Sequence, residues 1–144
     1  MTRETALRRA WLSFVLLAGT PAVLLAAAVW AVPASEEASR PGANYAFFGL
    51  SVGWLLLLVP PAFWIRGYVF RAGWQGQRVE AESYLRGLMT MWTATSVGAL
   101  FAAIGCLAGN SLLPNLFPAG FALALMLLLT PSSRGVETVA EPAA

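Results

Sequence analysis

The sequence predicts an all-α integral membrane protein, a bundle of four transmembrane helices with both termini in the cytoplasm. Three charge-free stretches predict it, residues 10–35, 41–65 and 87–133, and the only ionisable side chain in the last is Cys106. A helix rises about 1.5 Å per residue, so about 20 apolar residues cross a bilayer core of roughly 30 Å. The first two stretches each hold one crossing, and the third has the length for two.

The composition indicates the same class. Charged residues make up 11% of the chain and the mean hydropathy is +0.68, whereas a soluble domain contains roughly 25% charged residues. A bilayer accommodates this much apolar surface because it is itself the apolar phase. The 144 residues are enough for one membrane domain, residues 1–144, and no separate soluble domain.

The first predicted span covers residues 11–32. Arg8 and Arg9 precede it, and a secretory signal peptide has the same plan of basic residues, an apolar run and a small-residue cleavage site. Val32-Pro33-Ala34 fits such a site. The apolar run is longer than the usual 7–15 residues, so we expect an uncleaved helix, with cleavage as the alternative.

The second predicted span covers residues 45–65 and follows a short polar turn. Pro60-Pro61 lies near its end, and proline both removes a backbone donor and clashes with the preceding turn. We therefore expect a kink or an early end there. The connection that follows, residues 66–87, contains three glycines that argue against a continuous helix through its first half: Gly67, Gly73 and Gly76.

The third predicted helix begins near Val79 and crosses the membrane over residues 88–107. Glu82 and Arg86 form an i,i+4 pair near its start, which suits both helix pairing and the helix dipole. After a turn at residues 109–115 comes the fourth span, residues 113–130. Pro131 ends it, and the polar tail, residues 132–144, is expected to be disordered.

The arginines set the orientation, because positive residues near helix ends stay on the cytoplasmic side. With the N-terminus inside, eight of the nine arginines lie inside and Arg40 alone lies outside. We therefore expect a multi-pass protein of the bacterial inner (plasma) membrane. Arginine and tryptophan side chains near the inner face are expected to anchor it to lipid headgroups: Arg8, Arg9, Trp11, Trp64, Arg66, Arg71, Trp74 and Arg86.

No residue pattern predicts a catalytic, metal or cofactor site. The chain has no His and one Cys, and every Glu lies outside the predicted spans, although proton relays and ion paths usually use intramembrane ionisable residues. Small multidrug transporters also have four helices, but they depend on a membrane-embedded glutamate. We therefore expect no cofactor, no metal and no enzymatic activity. Hydroxyls in the third helix, such as Thr95 and Ser96, are expected to bond to their own helix or a neighbour.

Small residues predict where helices pack, because they allow backbones to approach in lipid. Gly49 and Gly53 form a GxxxG pair on the second helix, and Gly105 and Gly109 form another on the third. A stripe at every fourth position of the third helix consists of Thr90, Ala94, Gly98, Ala102 and Cys106. This stripe could face either the bundle or a partner protein.

Three motifs carry a resemblance. Tyr84-Leu85-Arg86-Gly87 precedes an apolar helix with Trp92 and Gly98, and Leu113-Pro114-Asn115 follows it. In this pattern, over about the last 60 residues, the chain resembles small bacterial four-helix membrane proteins of unassigned function. The resemblance implies the same fold and no activity. An acidic residue often lies near the middle of the third helix in that pattern, where this chain has Thr95 and Ser96.

The function expected from the sequence is that of a non-catalytic structural or accessory membrane protein, such as a subunit of a larger membrane complex. The alternative is a small oligomeric transporter, channel or holin-like pore, whose polar lining would have to come from the Ser- and Thr-rich third helix. The expected partners are the lipid bilayer and either other membrane subunits or further copies of the chain. No nucleic acid is expected.

Overall fold

The computed structural model describes residues 3–32, 39–75, 78–131 and 136–137, and its four helices confirm the all-α class. In chain order the elements are α1 (Arg3–Ala31), α2 (Pro41–Ala72), β1 (Trp74–Gln75), β2 (Arg78–Glu80), α3 (Ala81–Ala108), α4 (Leu116–Leu128) and β3 (Val136–Glu137). The three short strands form one sheet in the order β1-β2-β3, with β1 antiparallel and β3 parallel to β2.

Three of the helices, α1, α2 and α3, are long and apolar enough to cross a membrane. The fourth is shorter. With 13 residues, α4 extends about 20 Å, less than the roughly 30 Å of a bilayer core. Across residues 3–32, 39–75, 78–131 and 136–137, the structure is therefore a bundle of three long apolar helices and one short apolar helix.

Helix α2 is longer than the sequence indicated. It continues through Pro60 and Pro61 and through Gly67 to Ala72, so the early end at the prolines is wrong. It ends before Gly73, and β1 follows, so no continuous helix runs through the first half of the 66–87 connection, as expected. Both prolines are exposed, while Val59 and Ala62 on either side of them are buried. Packing against the bundle on both sides of the prolines offsets the lost hydrogen bonds, since tertiary contacts routinely override local propensity.

Two further boundaries differ from expectation. Helix α3 begins at Ala81 rather than near Val79, because Val79 pairs with Trp74 in β1 and with Val136 in β3. Val136 and Glu137 thus form a strand inside the tail that was expected to be disordered. The remaining tail residues, and residues 33–38 of the predicted first loop, lie outside the described part of the chain.

The centre of the bundle is α3. In its most apolar window 61% of the residues are buried, against 17% in α1 and 22% in α2. Its most extensive contacts are with α2, then α1, then α4. Small residues make this central position possible, since many of the buried residues of α3 are Gly, Ala or Ser.

The two ends of the bundle differ in chemistry. At one end the start of α1 packs with β2, the start of α3 and the end of α4, through Ala6, Val79, Tyr84 and Met126 among others. We call this the arginine end, because the elements there carry Arg3, Arg8, Arg9, Arg66, Arg71, Arg78 and Arg86. We call the other end the asparagine end, because Asn44 and Asn115 meet there. At this end the backbone amide of Arg40 donates a hydrogen bond to the carbonyl oxygen of Gly109 over 2.8 Å.

Candidate functional site

Helices α2 and α3 pack closely at Gly98. Ser51 Oγ donates to the carbonyl oxygen of Gly98 over 2.8 Å, and Trp54 Nε1 donates to that of Ala94 over 2.9 Å. A Cβ added to Gly98 would lie 2.5 Å from Cδ2 of Leu55, closer than real Cβ contacts. The centre of the small-residue stripe therefore lies against α2 of the same chain.

Toward the asparagine end α3 and its C-cap Gly109 pack on the start of α2 and on the segment that leads into α4. A Cβ added to Gly105 would lie 2.6 Å from Cβ of Phe47, and one added to Gly109 would lie 2.9 Å from Cα of Asn44. Ala102 and Cys106 are fully buried, with Cys106 Sγ 3.6 Å from the carbonyl oxygen of Leu112. At the opposite end of the stripe, Thr90 is half-buried.

Gly49 and Gly53 occupy a different environment. A Cβ added to either would meet no atom within 4 Å. Together with Trp54 and Phe101 they line an open apolar groove of about 470 Å³. Their predicted role in helix packing has no counterpart within the described chain and stays a prediction.

The buried hydroxyls of α3 are used internally. Thr95 Oγ1 donates to the carbonyl oxygen of Met91 in its own helix over 2.8 Å, and Ser96 Oγ donates to that of Leu17 in α1 over 2.6 Å. Thr90 Oγ1 bonds back to the carbonyl oxygen of Arg86 over 3.0 Å. The expectation that these hydroxyls bond to their own helix or a neighbour is confirmed for all three.

At the asparagine end, two buried amides join two segments of the chain. Asn115 Nδ2 donates to the carbonyl oxygen of Asn44 over 3.0 Å and also to its side-chain Oδ1. Asn44 Nδ2 donates to the carbonyl oxygen of Leu113 over 2.5 Å. Oδ1 of Asn115 is buried without a hydrogen-bond partner among the described residues. This cluster ties the start of α2 to the start of α4.

Sequence reasoning missed the asparagine cluster because it assigned both residues to turns. Asn115 does precede α4, but it makes no side-chain cap there; its amide turns to Asn44 instead. The sequence did contain one indication. Burying the side chain of an asparagine costs free energy unless another polar group forms hydrogen bonds with it, and both asparagines lie beside long apolar runs. Two such residues at neighbouring helix ends therefore favour each other.

The asparagine cluster holds helices together and offers no evident chemistry. A carboxamide does not titrate near neutral pH and is not a nucleophile. Within residues 3–32, 39–75, 78–131 and 136–137, no group of three or more His, Cys, Asp or Glu residues is placed to hold a metal ion.

At the arginine end, Arg66 lies half-buried in a small pocket. Its guanidinium stacks over the ring of Phe70, with Cζ 4.8 Å from the ring centroid. Its Nε is buried and has no hydrogen-bond partner in the described part of the chain. The sequence predicted Arg66 as an interfacial anchor but gave no sign of the pocket, which forms only when α2, α3 and α4 converge.

The other predicted anchors lie on elements of the same end. Trp64 is exposed and stacks on Tyr68, with ring centroids 6.2 Å apart. Arg86 is exposed and forms the expected i,i+4 ion pair with Glu82. The remaining predicted anchors are also exposed, as interfacial residues must be: Arg8, Arg9, Trp11, Arg71 and Trp74.

Comparison of the chain with known protein families, with curated proteins and with solved structures finds no match. The resemblance to small four-helix bacterial membrane proteins therefore stays a prediction. A fold alone does not specify a function, so the packing, the polar contacts and the surface chemistry are the grounds for assigning one.

Proposed function

We propose that the protein is a non-catalytic integral membrane protein of the bacterial inner membrane, with a structural or accessory role as a subunit of a larger membrane complex. The observation that carries the proposal is a contrast within the bundle. The hydroxyls of Thr95 and Ser96 in the central helix are bonded to backbone carbonyls, while the outer surface of the other helices is apolar and exposed. A molecule with its polar groups bonded internally and apolar side chains on its outer surface is suited to a lipid bilayer.

The outer surface supports the membrane location. Leu16 of α1 is 69% exposed and Leu57 of α2 is 73% exposed. Soluble monomers rarely expose contiguous apolar patches of more than a few hundred Å², and lipid removes that cost. Further large apolar side chains are exposed on α1, α2 and α4: Leu12, Val15, Val23, Leu50, Leu56, Phe63, Phe117, Phe121, Leu127 and Leu128.

The packing of the helix ends supports four crossings with both termini inside, although α4 is short. The carbonyl oxygen of Leu129, just after α4, accepts a hydrogen bond from Trp92 Nε1 over 3.0 Å, and Val136 pairs with Val79 beside the start of α3. The chain thus returns to the arginine end, where α1 begins. Seven of the nine arginines belong to elements of that end, and by the positive-inside rule this bias favours a cytoplasmic location for it.

Topology is open to direct test. Reporter fusions at residue 2 and at residue 144 should both report the cytoplasm, because an even number of crossings returns the chain to its starting side. Reporters inserted at Glu36 and at Asn110 should report the opposite side. A fusion at residue 144 that reports the outside would contradict four crossings, and would indicate a cleaved first segment or an α4 that does not cross.

An oligomeric transporter, channel or holin-like pore is the second candidate. In its favour, Thr93 is exposed beside a groove of about 480 Å³ between α2 and α3. The groove is otherwise mostly apolar, lined by Leu58, Pro61, Ile65 and Met89 among others. An oligomer built around it would present a largely apolar wall to ions, so the accessory role is better supported.

Two measurements separate these functions. After gentle extraction from native membranes, the accessory role predicts co-purification of a membrane partner in a fixed stoichiometry. After reconstitution alone into liposomes, it predicts no leakage of K⁺ or of an encapsulated dye above that of protein-free vesicles. Leakage that rises steeply with protein density, together with no stoichiometric partner, would contradict the proposal and favour the pore.

A further inference from the structure

The pocket at the arginine end is formed where three helices converge. Arg66 and Phe70 come from α2, Tyr84 and Leu88 from α3, and Leu128 and Leu129 from the end of α4 and its C-cap, and the pocket volume is about 260 Å³. Arg66 is the only cation among these lining residues, and the other walls are mainly apolar. The pocket therefore offers one positive charge in an apolar surround.

The position of Arg66 is fixed by its neighbours. A Cβ added to Gly87 of α3 would contact the ring of Phe70 and would lie 3.3 Å from Cγ of Arg66. The absence of a side chain at Gly87 thus allows both the Phe70 ring and the arginine stem to pack on α3. The guanidinium is held above the Phe70 ring and cannot swing into solvent without losing these contacts.

An anion in the pocket would stabilise the positive charge of Arg66. Its Nε is buried with no hydrogen-bond partner among the described residues, and none of the described residues that line the pocket is acidic. A buried donor of a charged group costs free energy unless it is paired. A guanidinium presents several N–H donors in a planar fork that matches a phosphate group.

The depth of the pocket identifies where the anion comes from. The uncharged part of α2 before Arg66, residues 41–65, extends about 37 Å, which exceeds a bilayer core of roughly 30 Å. The exposed Trp64 and Tyr68 flank Arg66, and such aromatic residues mark the headgroup level. Leu128 and Leu129 add apolar surface to the pocket lining, which suits contact with an acyl chain.

We propose that the pocket binds the phosphate of an anionic phospholipid, with Arg66 as the phosphate ligand and the α4 leucines in contact with an acyl chain. The absence of acidic side chains among the described lining residues disfavours a zwitterionic headgroup, whose ammonium would go unpaired. This is a defined site, distinct from the general attraction of surface arginines to an anionic membrane.

The test is lipid binding by the purified protein in detergent, measured by native mass spectrometry during titration with phosphatidylglycerol. We expect Arg66→Gln to weaken binding about tenfold, the factor that corresponds to 1.4 kcal/mol at 25 °C. Arg71→Gln makes the same charge change on the same helix outside the pocket lining, and should weaken binding less than about twofold. Leu128→Trp keeps the arginine but puts a larger side chain in the pocket lining, so it should also weaken binding. This variant serves as the test of the pocket if Arg66→Gln does not fold.

Two comparisons identify the ligand. Phosphatidylcholine should bind more weakly than phosphatidylglycerol, and soluble glycerol phosphate should not compete at matched concentration because it lacks acyl chains. Competition by glycerol phosphate would overturn the lipid assignment in favour of a soluble phosphate. Equal losses for Arg66→Gln and Arg71→Gln, or unchanged binding in Leu128→Trp, would overturn the pocket itself.

Discussion

Asn115→Asp is expected to destabilise the folded protein by about 3–5 kcal/mol at neutral pH, the cost of leaving a buried charge without a partner. The substitution is almost isosteric, so packing is kept. Asn115 is fully buried, and its Nδ2 supplies the donor to both the backbone carbonyl and Oδ1 of Asn44. A carboxylate there faces two acceptors with no hydrogen to offer. Thermal unfolding in detergent should show a loss of about 10 °C.

The same substitution predicts a pH dependence of definite sign. Burial disfavours the charged form, so the pKa of the new carboxyl in the folded state is raised above the roughly 3.9 of the unfolded chain. Between these two pKa values the folded state binds more protons than the unfolded state, so stability falls as the pH rises. The stability deficit of Asn115→Asp relative to the wild type should therefore shrink as the pH falls through the raised pKa, because the protonated carboxyl again donates to Asn44.

Asn110→Asp is the matched control. Asn110 lies five residues earlier in the α3–α4 connection, is partly exposed and has φ of 47°, a conformation that both Asn and Asp tolerate. We expect a change within about 0.5 kcal/mol, as for most surface substitutions. An equal loss of stability in the two variants would contradict the cluster, because it would trace the effect to charge anywhere in the connection.

The parts of the fold that the sequence predicted are those fixed by hydropathy and by turn residues. The uncharged runs identify α1, α2 and α3, and the turn chemistry around Gly109 and Asn115 separates α3 from α4 as observed. The errors arise where tertiary contacts decide. Pro60 and Gly67 each have a low helix propensity, so the sequence predicts an interruption of the helix at these positions. The segment nevertheless stays helical, because α2 packs on α3 on both sides of them.

The candidate sites divide in the same way. The spacing of small residues predicts a stripe on a helix, but it does not show which residue packs against each member of the stripe. Leu55 packs against Gly98, whereas no residue of the described chain packs against Gly53. The asparagine cluster and the Arg66 pocket join residues that are far apart in sequence, as with Asn44 and Asn115. The sequence marks each asparagine as costly to bury, but no local pattern encodes which residues pair, so the contacts themselves come only from the packed structure.

Gly98→Leu is expected to lower the free energy of unfolding by about 1–3 kcal/mol, the usual cost of forcing bulk into a packed site. Even the first added carbon would lie 2.5 Å from Cδ2 of Leu55, which is itself buried. The helices would have to separate, and the bonds that Ser51 and Trp54 donate to α3 would lengthen. Tryptophan fluorescence during thermal unfolding in detergent measures the loss.

Three further variants show whether this loss comes from the α2–α3 contact. Gly53→Leu makes the same change on α2 where an added Cβ meets no atom within 4 Å, so it should not destabilise the isolated chain, and Leu100→Ile should be nearly neutral. Leu55→Ala opens space opposite Gly98, so the double variant should be more stable than additivity predicts, by the roughly 0.5–3 kcal/mol typical of residues in contact. If Gly98→Leu instead unfolds like the wild type, the contact does not carry stability and the stripe reflects only an Ala- and Gly-rich composition.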